Sequence, residues 1–122
     1  EIFYRETGKT KKVTEYPCNG KLLKAAEQVK TKYHTGRGVI GSGDEWNNQL
    51  DRIALLRERY HTAVEDMESA AAAQLCLSYG VPFLGVRILS NSIVNGEKFD
   101  EAVGIDGQKF MLSLVDQMRE YM

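Results

Sequence analysis

The chain has 122 residues, enough for one domain, or part of one, built around a single core. Apolar residues make up 43% and charged residues 27%, a balance that excludes disorder as the main state. Sixteen Lys and Arg against seventeen Asp and Glu leave a formal charge of −1, so no basic excess marks a nucleic-acid binder. No apolar run of about 18 residues marks a membrane-spanning helix.

In chain order, Ile2-Phe3-Tyr4 and Val13-Thr14-Glu15-Tyr16 read as short strands around a Gly8–Lys12 turn. The Lys9-Thr10-Lys11-Lys12 cluster within that turn reads as a solvated loop. Pro17, Asn19 and Gly20 then break the chain. Leu22, Ala26, Val29 and Tyr33 fall at helical spacing and predict a helix from Lys21 to Tyr33. Val39-Ile40 predicts a short buried strand, followed by a helix from about Glu45 to Arg59 that Ser42 or Asp44 could cap. Ala63-Val64 predicts a brief strand entering an alanine-rich helix that begins near Met67 and stops at Gly80. Val81 to Leu89 reads as the strongest strand, and its largely apolar makeup predicts burial on both faces. A loop from Ser90 to Gly104 leads to a last helix, about Asp106 to Tyr121, with Met111, Leu114, Val115 and Met118 on one stripe. Strands alternating with helices predict an α/β fold: a mixed, largely parallel sheet flanked by helices.

No secretory leader is visible, and Cys18 and Cys76 fit no metal or redox spacing. The expectation is a reducing, cytoplasmic setting with both thiols free. His34 and His61 are isolated and read as surface or structural residues, so no metal site is expected.

In folds of this class ligands sit at the carboxyl ends of strands. Three segments qualify: Gly41–Asn48, Glu65–Ser69 and Ser90–Asn95. Gly36-Arg37-Gly38-Val39-Ile40-Gly41 fits G-x-G-x-x-G literally, but the apolar pair lies inside the pattern and the helix opens too late for a dinucleotide site. Glu65-Asp66-Met67-Glu68 concentrates three carboxylates at a strand-to-helix junction. They can serve a helix N-terminus through its dipole, or a carboxylate there can accept from the two hydroxyls of a ribose. Trp46, the single tryptophan, can be core, or can stack on an aromatic base beside Gly43-Asp44. No serine sits in a nucleophile elbow, which argues against a Ser–His hydrolase.

Three segments taken together resemble a known family. Gly38-Val39-Ile40-Gly41-Ser42-Gly43-Asp44-Glu45-Trp46-Asn47-Asn48, then Ala63-Val64-Glu65-Asp66-Met67-Glu68-Ser69-Ala70-Ala71, then Val81 to Asn91, look like the C-terminal half of the purine nucleoside phosphorylase/nucleosidase superfamily. The most similar branch is the 5′-methylthioadenosine/S-adenosylhomocysteine nucleosidases, and the likeness covers roughly residues 17–122. It implies cleavage of a purine nucleoside's N-glycosidic bond by water, with no cofactor, no metal, and self-association into a homodimer or larger oligomer. It also implies a place in methionine salvage. Residues 1–122 would be the C-terminal portion of one such domain, without the N-terminal half that carries the water-activating glutamate or the phosphate-holding arginines, so the enzyme would be incomplete as this chain alone; the chain opens on Glu1 rather than Met.

The resemblance also implies site roles. Trp46 would supply the ring for the base and Asn47 the backbone groups that read its edge. Met67 and Glu68 would hold the ribose. Ser90 and Asn91 would face the purine, with Asn91 in the catalytic position. Here the chain departs from the nucleosidases, which carry aspartate at that place and protonate N7 with it. Asparagine donates a hydrogen bond but no proton. A 6-oxopurine nucleoside phosphorylase and a non-catalytic nucleoside-binding or storage protein therefore stay open as alternatives. Asp66 stands where those enzymes usually carry Glu. The expectation is that three strand tips, bearing an indole, a carboxylate and a carboxamide, converge on one nucleoside-sized hollow.

Overall fold

The computed structural model describes residues 2–89, 92, 95–98 and 100–121. The chain opens with an antiparallel hairpin, β1 (Ile2–Tyr4) and β2 (Lys9–Lys11), with Ile2 opposite Lys11. The second strand comes earlier than Val13–Tyr16. Gly8 adopts a left-handed φ of 65° and donates its N–H to Tyr4 O at 2.8 Å, which closes the turn and brings the lysines across from β1. The lysine cluster thus begins in a strand, although Lys9, Thr10 and Lys11 are all exposed.

Helix α1 (Gly20–Glu27) starts where Asn19 Oδ1 accepts from Lys21 N (3.0 Å) and Leu22 N (3.2 Å). It ends well before Tyr33. The N–H groups of Gln28 and Val29 reach back only to Ala25 O and Ala26 O, which tightens the last turn. The Tyr33 hydroxyl is drawn instead to a carboxylate of the last helix.

Next comes a β–α–β unit: β3 (Val39–Ser42), α2 (Leu50–Tyr60) and β4 (Thr62–Asp66). The two strands are parallel, with Ser42 level with Asp66. Helix α2 begins at Leu50 rather than Glu45, because Asn47 Oδ1 accepts the Gln49 N–H (3.2 Å) and holds the preceding loop out of helical geometry. Neither Ser42 nor Asp44 caps it, and the Ser42 hydroxyl is committed to β4. Helix α3 (Ser69–Tyr79) ends at Gly80 in the left-handed conformation, as the sequence predicts.

Val81–Leu89 corrects the expectation of a two-faced buried strand. It makes no strand ladder among the described residues. Leu84 and Val86 pack on α1 and the last helix, Gly85 lies against Ile40 of β3, and Ile88 and Leu89 are exposed. The last helix, α4 (Glu101–Met118), starts earlier than Asp106, because Asp100 Oδ1 accepts the Ala102 N–H at 3.0 Å. Its buried stripe runs through Gly107, Phe110, Leu114 and Met118, whereas Met111 and Val115 face outward. A short 3-10 turn, Arg119–Tyr121, follows. Ala25 of α1, Val29 just beyond its end and Leu114 of α4 form the core. The architecture is α/β: a parallel β3–β4 pair flanked by helices, with a separate hairpin. Among the described residues no helix is long and apolar enough to cross a membrane.

Candidate active site

A cleft of about 1480 Å³ runs between β3 and the Val81–Leu89 segment. One wall carries Val39 to Glu45 and Asn47; the other carries Phe83 to Leu89. Glu65, Ser69 and Arg87 complete the end where the two parallel strands stop. At the far side the Tyr33 hydroxyl donates to Asp106, and Lys32 Nζ lies 3.4 Å from the same carboxylate. The Tyr33 bond lowers the Asp106 carboxyl, and acceptance by that carboxylate raises the phenol. These contacts tie the stretch after α1 to α4 across the cleft.

Behind the strand tips lies a hydrogen-bonded knot around Asp66, whose side chain is only 8% exposed. Its Oδ1 accepts from Ser42 Oγ (2.6 Å), Ser69 N (3.2 Å) and Glu68 N (3.3 Å). Its Oδ2 accepts from Ser69 Oγ and from Arg87 Nε (2.5 Å). Arg87 Nη2 also donates to Ser69 Oγ (2.6 Å), and Ser42 Oγ accepts the Ala70 N–H (2.9 Å). Burial alone would raise the Asp66 carboxyl. Hydrogen bonds from Ser42, Ser69 and Arg87 outweigh it and hold the group at about 2. The sequence shows the carboxylate cluster, but not that its middle member serves as the anchor.

The other residues singled out from sequence divide as follows. Asn47 lies on the cleft wall, and its Nδ2 donates to both Glu65 oxygens, at 2.9 and 3.2 Å. Trp46 precedes it, is 66% exposed, and stands off the wall. Met67 is 47% exposed, and Glu68 is exposed with Oε2 accepting the Met67 N–H (3.2 Å); both also stand off the wall. Ser90 and Asn91 lie outside the described residues. The structure therefore brings together the tips of β3 and β4, with Asn47 beside Glu65 and Ser42 beside Asp66. Cys18 and Cys76 are free thiols. Among the described residues no group of three His, Cys, Asp or Glu side chains is placed to hold a metal ion.

Comparison with known proteins places this geometry in a family. The chain is 34% identical over 112 residues to a protein of Bacillus pumilus (strain SAFR-032) named 5′-methylthioadenosine/S-adenosylhomocysteine nucleosidase, covering 84% of this chain and 48% of that protein. It is 29% identical over 105 residues to the protein of the same name from Bacillus thuringiensis (strain Al Hakam), covering 80% of this chain and 45% of that one. The chain thus spans about half the length of the curated relatives it matches. The family model of the phosphorylase superfamily matches residues 2–118, nearly the whole sequence, and with the parallel strand tips opening on one cleft the chain belongs to that superfamily.

Proposed function

We propose that this chain forms the base- and ribose-holding part of a nucleosidase that hydrolyses the N-glycosidic bond of 5′-methylthioadenosine or S-adenosylhomocysteine. The observation that carries the reading is the register of β3 and β4. Ser42 stands level with Asp66, so the loop bearing Trp46 and Asn47 and the junction bearing Met67 and Glu68 leave the sheet side by side at one end of the cleft. Ligands of open α/β sheets bind at such carboxyl ends. The names of the similar Bacillus proteins point to the same substrates.

In this reading the exposed Trp46 ring stacks on the base, Asn47 reads its edge, and Met67 and Glu68 hold the ribose hydroxyls. Ser90 and Asn91 face the purine. Water adds at C1′ while the bond to N9 breaks and the base leaves with the bonding pair; the proton lost by the water passes through solvent to the departing base. Asn91 assists by hydrogen bonding alone, since a carboxamide has no proton to give. No organic cofactor enters the scheme. A cytoplasmic setting and assembly with further copies of the chain accompany it.

The test is incubation of each thionucleoside, with and without phosphate, with this chain joined to the N-terminal half of a similar nucleosidase, followed by chromatography of the products. Adenine released without phosphate is the expected result. Phosphate-dependent release of hypoxanthine from inosine would reassign the protein to 6-oxopurine phosphorolysis. Stabilisation by nucleoside without turnover would leave a binding protein, and no stabilisation at all would overturn the proposal.

A further inference from the structure

We infer that Asp66 is a positioning residue: its carboxylate sets the loop that carries Trp46 and Asn47 against the junction that carries Met67 and Glu68. The inference rests on the nucleosidase reading and deepens it. Asp66 is not on the cleft wall, so it has no direct route to a ligand there. Three of its donors, Ser42, Ser69 and Arg87, do line the cleft. Each comes from a different element: the tip of β3, the first turn of α3 and the Val81–Leu89 segment.

The chemistry of the knot favours geometry over simple charge pairing. Two carboxylate oxygens receive five donors, two of them backbone N–H groups of the β4–α3 junction. The Ser42 hydroxyl gives its proton to Asp66 and accepts from Ala70 N, so the β3 tip is clamped to both the end of β4 and the start of α3. The Arg87 fork spans Asp66 and Ser69 together, which a lysine could not reproduce. Trp46 lies four residues beyond Ser42, and Glu68 two beyond Asp66. Loosening this clamp changes the separation of the base and ribose contacts without removing either.

A nucleoside joins two fragments, and its affinity depends on both subsites being correctly spaced, whereas each fragment alone senses only its own subsite. The experiment is NMR titration of the chain, and of Ser42→Ala and Asp66→Asn variants, with adenine, with 5-methylthioribose and with 5′-methylthioadenosine. The expected result is fragment affinities within about twofold of the parent and nucleoside affinity about tenfold weaker. Ser42→Thr, which keeps the hydroxyl, is expected to restore nucleoside affinity. Equal weakening of fragments and nucleoside would make the knot a stability element only, and unchanged nucleoside affinity would remove any role; either overturns the inference. If the unaltered chain binds none of the three, the nucleosidase reading fails and this inference with it. Thermal melting confirms that each variant is folded, and if Asp66→Asn does not fold, Ser42→Ala decides alone.

Discussion

Gly38 approaches Ala63 so closely that a Cβ on the glycine would stand 2.8 Å from the alanine Cβ. This contact explains a glycine in a pattern that otherwise imitates a phosphate-binding loop. Gly38 lets the chain entering β3 pass tightly beside β4, and the obstacle is a short side chain that cannot rotate away. Gly38→Ala is expected to destabilise the chain by about 1–3 kcal/mol. Gly36, with nothing within 4 Å of its would-be Cβ, provides the control: Gly36→Ala should be neutral or slightly stabilising. Urea unfolding of both variants checks the pair, and equal midpoints would contradict the packing.

Asp66 predicts an acid-sensitive contribution to stability. Its folded value, about 2, lies below the ordinary 3.8. Between these values the unfolded chain binds more protons, so stability falls as pH falls. The contribution is complete above about pH 4 and is lost toward pH 2, with a magnitude of about 2 kcal/mol. Denaturation measured at pH 7, 4 and 2.5 should show that loss in the parent, and Asp66→Asn should lack this component.

The side of α4 that faces the core is equally testable. Leu114 is 1% exposed, whereas Leu112 on the same helix is 71% exposed. Leu114→Ala is expected to cost about 2–5 kcal/mol and Leu112→Ala less than about 0.5 kcal/mol. Similar costs for the two would place the helix at the wrong rotation.

Asn91 carries the chemical prediction. Under the nucleosidase reading, Asn91→Asp supplies the missing general acid, and adenine release should rise by about 10²-fold or more. The measurement is initial rate against pH, where the gain should fade as the new carboxyl ionises. A loss of activity on a 6-oxopurine nucleoside would instead identify that base as the one Asn91 serves.

The order of the helices, the β3–α2–β4 unit and the end of α3 were legible because Gly80, the alanine run and the helical spacing act locally; the strand expected at Val81–Leu89 was not, because apolar makeup does not supply a ladder partner. The starts of α2 and α4 were not, since Asn47 and Asp100 redirect single N–H groups through side chains that periodicity does not weigh. Met111 and Val115 fit the spacing of the buried stripe but face outward. The true face is set by Gly107 and Leu114 meeting Ile88 and α1. At the cleft, the apolar strands and the polar residues after them mark the tips of β3 and β4, but the burial of one carboxylate among the three does not show in the sequence. The dominant one, Asp66, is distinguished by donors brought from positions 42 and 87, a long-range fact that adjacent residues do not reveal.

The Val81–Leu89 segment, which joins no ladder among the described residues, has a practical corollary. Phe83-Leu84-Gly85-Val86-Arg87-Ile88-Leu89 has the makeup of segments that stack between molecules into cross-β ribbons. Its single charge, Arg87, is already neutralised by Asp66 and so gives little repulsion against an approaching molecule. Solubility of this polypeptide is therefore expected to fail with concentration before it fails with heat. Leu89, 64% exposed, is where a gatekeeping lysine (Leu89→Lys) would improve handling at least expense to the interior.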